Sequence, residues 1–117
     1  MMMQSDLFQF EDSTEWLTVA PGVQRKVLGY DNKLMMVKVR FMKGGRGDLH
    51  SHEHSQVAYV ASGSFEMTLG ETVKIINEGD GYYVPPFTVH GCVCLEDGIL
   101  VDAFSPARLD FVSTDGK

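Results

Sequence analysis

The stretch GGRGDLHSHEHSQVAYVASG, residues 44–63, decides how the rest of the chain is read. His50, His52, His54 and Gln56 alternate along it, so a straight strand would aim all four donors to one side. Three imidazoles and an amide so close together have the chemistry of a metal site. Parity alone does not say that all four belong to it, because a turn between His52 and Gln56 would carry His54 away.

Outward from that stretch the chain reads as short strands punctuated by turn residues. Upstream, VQRKVLGY (23–30) and LMMVKVRFM (34–42) flank the turn DNK (31–33). Met35, Val37, Val39 and Phe41 share one face of the second strand, with Lys38 and Arg40 on the other. KGGRGD (43–48) is a bend leading into the histidines. Downstream come QVAYVA (56–61), SFEMTL (64–69), TVKII (72–76), GYYV (81–84), VHGCVCL (89–95) and ILVDAF (99–104). Gly63, Gly70, Asn77 to Asp80 and Asp97-Gly98 are read as turns. No helical window of useful length, repeat or linker interrupts the series. The expected fold is an all-β single domain, a sandwich or barrel of which the jelly roll is one form.

Composition narrows the function. With 117 residues, 44% hydrophobic and 22% charged, the chain has the make-up of one ordinary globular domain. A net charge of -6 argues against nucleic acid or an anionic membrane as partner, but one arginine in a pocket still suits a small anion. The N-terminus lacks a basic segment and a long apolar run, so a cytoplasmic location is expected. Cys92 and Cys94, about 6.6 Å apart on an extended strand, are read as reduced thiols. They share parity with His90 and are read as small buried hydrophobes beside the site rather than as ligands.

The spacing around the histidines has a second half. Gly44 is followed by five residues, His50-x-His52, three residues, Gln56, six residues and Gly63. Gly79 is followed by five residues and Pro85, with His90 four residues further on. This resembles the paired motifs of the cupin superfamily, G-x5-H-x-H-x3-4-E-x6-G and G-x5-P-x-G-x2-H-x3-N. The resemblance implies a jelly-roll β-barrel in which His50, His52, Gln56 and His90 bind one divalent metal ion. His54 would fall in a connection and be solvent-exposed. Ni, Zn, Mn, Fe and Co all accept such donors. Three departures stand out: Gln56 replaces the glutamate, Phe87 the glycine and Cys94 the asparagine of those motifs. A neutral amide leaves the centre more positive than a carboxylate would, which favours Lewis-acid work on an anion over redox cycling.

LVDAFSPARLDF (100–111) carries the other informative residues. Asp102 shares a face with Leu100 and Phe104 inside an apolar strand, a costly place for a carboxylate without a partner. It is read either as a structural partner of Arg108 or as an acid/base facing the barrel interior. Arg108 can fork a substrate carboxylate, and Phe104 offers an apolar wall to a sugar ring.

The combination HSHxHxQxxYVxSGxFExTxG and GDxxxxPPxxxHGCVCLEDGxLxDxFSPARxDF, with VxRKxLxYDxxLMxVKVRFxKG upstream, looks like the KdgF family of small cupins. That resemblance implies conversion of 4,5-unsaturated uronates, the products of pectin or alginate lyases, to linear 5-keto-4-deoxyuronate. It also implies that Asp102, Phe104 and Arg108 form the catalytic and substrate-holding group, with Gln56 at its edge. Two other readings stand beside it: a metal-dependent oxygenase, and a non-catalytic sugar-binding or sensor cupin. The expected organisation is an arm over residues 1–15, the cupin domain over 16–112 and a tail over 113–117. The apolar Leu7, Phe8 and Phe10 of the arm suit a homodimer contact.

Overall fold

Alternation along the strands sets the architecture. In a computed structural model, which describes residues 3–115 (side chains through residue 112), the chain forms eight antiparallel strands, one short 3-10 turn at Glu11–Ser13 and one helix. The strands are β1 (Leu17–Ala20), β2 (Val23–Tyr30), β3 (Met35–Phe41), β4 (Arg46–His50), β5 (Ser55–Leu69), β6 (Thr72–Asn77), β7 (Gly81–Val84) and β8 (His90–Ser105); the helix α1 is Leu109–Asp115.

Two long strands build both layers. The first half of β5 pairs with β7 and the last part of β8, while its second half pairs with β6 and the first part of β8. β8 in turn pairs with β4 near its start and with β3 near its end. One layer is therefore β1-β2-β3-β8-β5-β7 and the other β4-β8-β5-β6, joined through the bend of β5 and β8. Between them lies a core of Phe41, Val60, Phe65, Met67, Cys94 and Leu100, with Phe41 and Phe65 meeting edge to face at 5.1 Å. A second cluster of Met35, Val37, Phe104 and Ala107 sits under Phe111 and Val112 of α1.

Gly63 and Asp97-Gly98 are not turns between separate strands. They lie within β5 and β8, where the register slips between Val60 and Phe65. A Cβ on Gly63 would come within 2.5 Å of the Asp97 carbonyl and the Gly98 Cα, and one on Gly98 within 2.4 Å of the Ser62 carbonyl. The glycines let two backbones cross at the bend. β1 and α1 were not expected. β4 grows out of the stretch read as a glycine-rich bend, and α1 is a short helix of about two turns after the strand.

The arm is held rather than loose. The Ser5 N–H donates to the Tyr30 carbonyl, and buried Lys26 donates to Glu11 and Thr14. Hydrogen bonds from Lys38 and Lys26 hold the Glu11 carboxyl down at about 2. Among the described residues no helix is long and apolar enough to cross a membrane.

Candidate metal centre

The topology brings together what the sequence separates. His50 ends β4 and His90 begins β8, directly opposite one another in the ladder. His52 follows in the connection to β5, and Gln56 is the second residue of β5. Ligand atoms of His50, His52 and His90 lie within 4.8 Å of one another, so the three histidines can hold a metal ion. The rings are 4.4 Å (His50–His90), 4.8 Å (His52–His90) and 5.5 Å (His50–His52) apart.

Each ring is oriented by the backbone. His50 Nδ1 donates to the Asp48 carbonyl at 2.8 Å, His90 Nδ1 to the Thr88 carbonyl at 2.8 Å and His52 Nδ1 to the His54 carbonyl at 3.0 Å. A carbonyl only accepts, so Nδ1 carries the proton and the Nε2 lone pair is left for a ligand role. Burial lowers the basicity of His90, and of His52 despite its contact with Gln56, which favours the neutral imidazole that metals bind. His52 Nε2 and Gln56 Oε1 then face each other at 3.0 Å as two acceptors, a contact that a shared cation relieves. The donor set fits a divalent metal.

The departures from the cupin pattern have local explanations. Gln56, with its carbonyl toward His52, sets its amide beside Asp102 and favours the ionised carboxylate there, opposing burial. A glutamate could not donate that hydrogen bond without holding a proton. Phe87 has φ 65°, the left-handed conformation that glycine adopts freely and a phenylalanine rarely does. Its N–H donates to the His52 carbonyl at 2.7 Å, tying the second motif to the histidine loop. Cys94 is a buried core residue. Cys92 lines the cavity below the histidines, its thiol pushed up to about 11 by burial, and both cysteines are free.

His54 departs in part from expectation. It stands outside the three-histidine group, but it is half-buried rather than solvent-exposed. Its ring packs edge-on against His52 and Phe104, and its Nδ1 is buried without a partner. The chain turns inward between β4 and β5, which sequence parity could not register.

A cavity of about 360 Å³ opens beside the histidines and is also lined by Gln56, Asp102, Phe104 and Arg108. Asp102 is buried, opposite Ala58 and Val37, and its Oδ1 has no partner. Burial raises its carboxyl to about 7, with the Gln56 amide pulling the other way. The carboxylate that Arg108 forks is Asp110, at 3.1 and 3.0 Å, so the pairing of Arg108 with Asp102 considered from sequence is replaced by a nearer one. Tyr82, Arg25 and Phe111 also line the cavity. Arg25 and Phe111 lie within segments that carry the family resemblance, but nothing in their spacing marks a role.

The cupin domain family matches residues 37–102. The pectin degradation protein KdgF of Dickeya dadantii is 43% identical over 104 residues, covering 87% of this chain and 94% of that protein. The chain is a cupin of the KdgF family. Among solved structures, an RmlC-like cupin from Shewanella frigidimarina is 46% identical with a TM-score of 0.91, covering 93% of this chain and 98% of its own. KdgF from a Halomonas species is 38% identical with a TM-score of 0.87, covering 92% and 99%. Oxalate decarboxylase of Bacillus subtilis, at 21% identity and a TM-score of 0.77, shares the fold over 30% of its own chain. The all-β cupin architecture expected from the two motifs is the one observed in this KdgF-like chain.

Proposed function

We propose that this cupin acts in pectin breakdown, converting a 4,5-unsaturated uronate to linear 5-keto-4-deoxyuronate, with alginate-derived uronates as related substrates. The observation that carries the reading is Asp102: a buried carboxyl with an unpartnered oxygen, in a cavity also lined by His50 and His90 of the three-histidine group and by Arg108. The name of the Dickeya relative supports the pathway.

The substrate is an enol ether whose C5 bears the ring oxygen and the carboxylate. Arg108 holds the carboxylate, and Phe104 packs against the apolar face of the ring. Asp102, raised to about 7 by burial, divides between acid and carboxylate at neutral pH, and the acid form delivers its proton to C4. The positive charge develops at C5 and the ring oxygen, and water adds at C5. The deprotonated Asp102 accepts the proton that this water releases. The hemiketal then collapses: the C5–ring oxygen bond breaks, C5 becomes the ketone, and the ring oxygen stays on C1 as a hydroxyl. A divalent ion held by His50, His52, Gln56 and His90 would supply Lewis-acid polarisation of a substrate oxygen.

The test follows loss of the conjugated-alkene absorbance in a lyase digest of pectin or alginate, with dissolved oxygen monitored. Ketone formation without oxygen uptake is expected. Asp102→Asn should lower kcat about 100-fold or more. Near-normal turnover by that variant would remove Asp102 from the mechanism, and no turnover by the parent protein would overturn the reading.

A further inference from the structure

Arg108, assigned above to a substrate carboxylate, already grips one from its own chain. Nε donates to Asp110 Oδ1 at 3.1 Å and Nη2 donates to Oδ2 at 3.0 Å. That two-point grip is how a guanidinium recognises any carboxylate. The guanidinium plane has little freedom, because Arg108 sits in the corner of two rings. Its carbon is 4.2 Å from the Phe111 centroid and 5.5 Å from that of Phe104, and the rings themselves meet edge to face. One edge of one fixed plane cannot fork two carboxylates at once.

The pair is also unevenly placed. The Asp110 side chain is 60% exposed while that of Arg108 is 15% exposed. An ion pair with so exposed a carboxylate is weak, so breaking the Arg108–Asp110 pair itself costs little. A carboxylate that took over that edge from the cavity would hold it in drier surroundings, where a charge-assisted fork is worth more. The cavity favours such an arrival. Three of the four arginines in an otherwise acidic chain line it (Arg25, Arg46 and Arg108), against two aspartates (Asp48 and Asp102) and no described lysine.

We propose that Asp110 is a resident carboxylate that the substrate's own carboxylate displaces from Arg108, so that the pair admits free sugar acids in preference to neutral sugars and esters. This deepens the uronate reading above and rests on it. Asp110 acts through Arg108 and is a positioning residue, not a catalytic one. A neutral ester cannot take over both N–H donors on equal terms, so for it the Arg108–Asp110 pair stays closed.

Two measurements on the metal-loaded protein test the idea. The first is calorimetric binding of galacturonate and of its methyl ester; the second is the separate determination of KM and kcat on an unsaturated uronate. Asp110→Asn, with Asp110→Ser as a second variant, should tighten galacturonate binding and lower KM about two- to fivefold, the range of an exposed ion pair. The ester's affinity and kcat should not change. In an Arg108→Met background Asp110→Asn should have no effect on either acid. Unchanged or weakened acid binding in folded Asp110 variants would overturn the proposal and leave Asp110 as a prop for Arg108. If the parent protein turns over no unsaturated uronate, the functional reading fails, while the galacturonate comparison still decides the role of Asp110.

Discussion

Asp102 shows how much one residue can reveal before and after folding. That it shares a face with Leu100 and Phe104 was legible from alternation, but with both faces of the strand apolar, which of them turns inward was not. The neighbour that shapes its chemistry, Gln56, was legible as a metal ligand at the edge of the substrate group but not as a partner of Asp102, because the pairing of β5 with β8 that sets the two side by side is long-range. The buried carboxyl has a consequence for stability in the metal-free protein. Its folded value of about 7 lies above the ordinary 3.8, so the native state binds the proton more tightly than the unfolded chain does. Stability is therefore unaffected below pH 3.8, falls as pH rises between the two values, and carries the whole penalty above pH 7. The gap corresponds to roughly 4 kcal/mol. Asp102→Asn has no proton to lose, so metal-free Asp102→Asn should gain on the parent by up to that amount between pH 4 and pH 8. Urea denaturation of both proteins across that range checks it; parallel pH profiles would show that Asp102 stays solvated.

At the scale of elements, strands such as VQRKVLGY and GYYV were readable to the residue, because alternation and flanking turn residues agree. The long strands were not, because a glycine at a backbone crossing and a glycine in a turn look alike in sequence. Gly63 and Gly98 serve the crossing that folds one sheet into two layers. Gly63 and Gly79 both have a positive φ, at 85° and 95°, but only Gly63 has backbone against the position of its missing Cβ. Gly79→Ala should cost only the left-handed penalty, about 1–2 kcal/mol. Gly63→Ala should cost a further 1–3 kcal/mol or so from overlap with β8. Chemical denaturation of the pair measures the difference, and equal losses would mean that β8 yields easily at the bend. The metal centre lies at the ends of strands on either side of this crossing, so its histidine pair His50–His90 was legible through motif spacing rather than through periodicity.

For the whole molecule, the outer face of the larger layer is the surface that stands out. Met36, Ala103, Val57 and Tyr83 form one row across β3, β8, β5 and β7, and Val101 and Tyr59 lie in the next, which Lys38 of β3 bounds at its edge. Met36, Val57, Tyr59 and Tyr83 are 45–56% exposed, a contiguous apolar patch rather than the scattered residues of an ordinary surface. Leu7, Phe8 and Phe10 of the arm are exposed as well. A two-fold contact would set the patch against its own copy, apolar row on apolar row, with no charge of β5 or β7 at its centre. The protein is therefore expected to sediment as a homodimer, with the patch as its interface. Tyr59→Lys places a charge in the middle of that contact on both copies at once, which a desolvated interface does not tolerate. Its side chain points away from the core and the cavity, so the fold and the histidine group should persist. Sedimentation velocity of the parent and the variant, alongside metal content, reads the outcome. A monomeric parent would overturn the dimer, whereas a variant that remains dimeric would assign the association to another surface, with the arm's Leu7, Phe8 and Phe10 the next to be substituted.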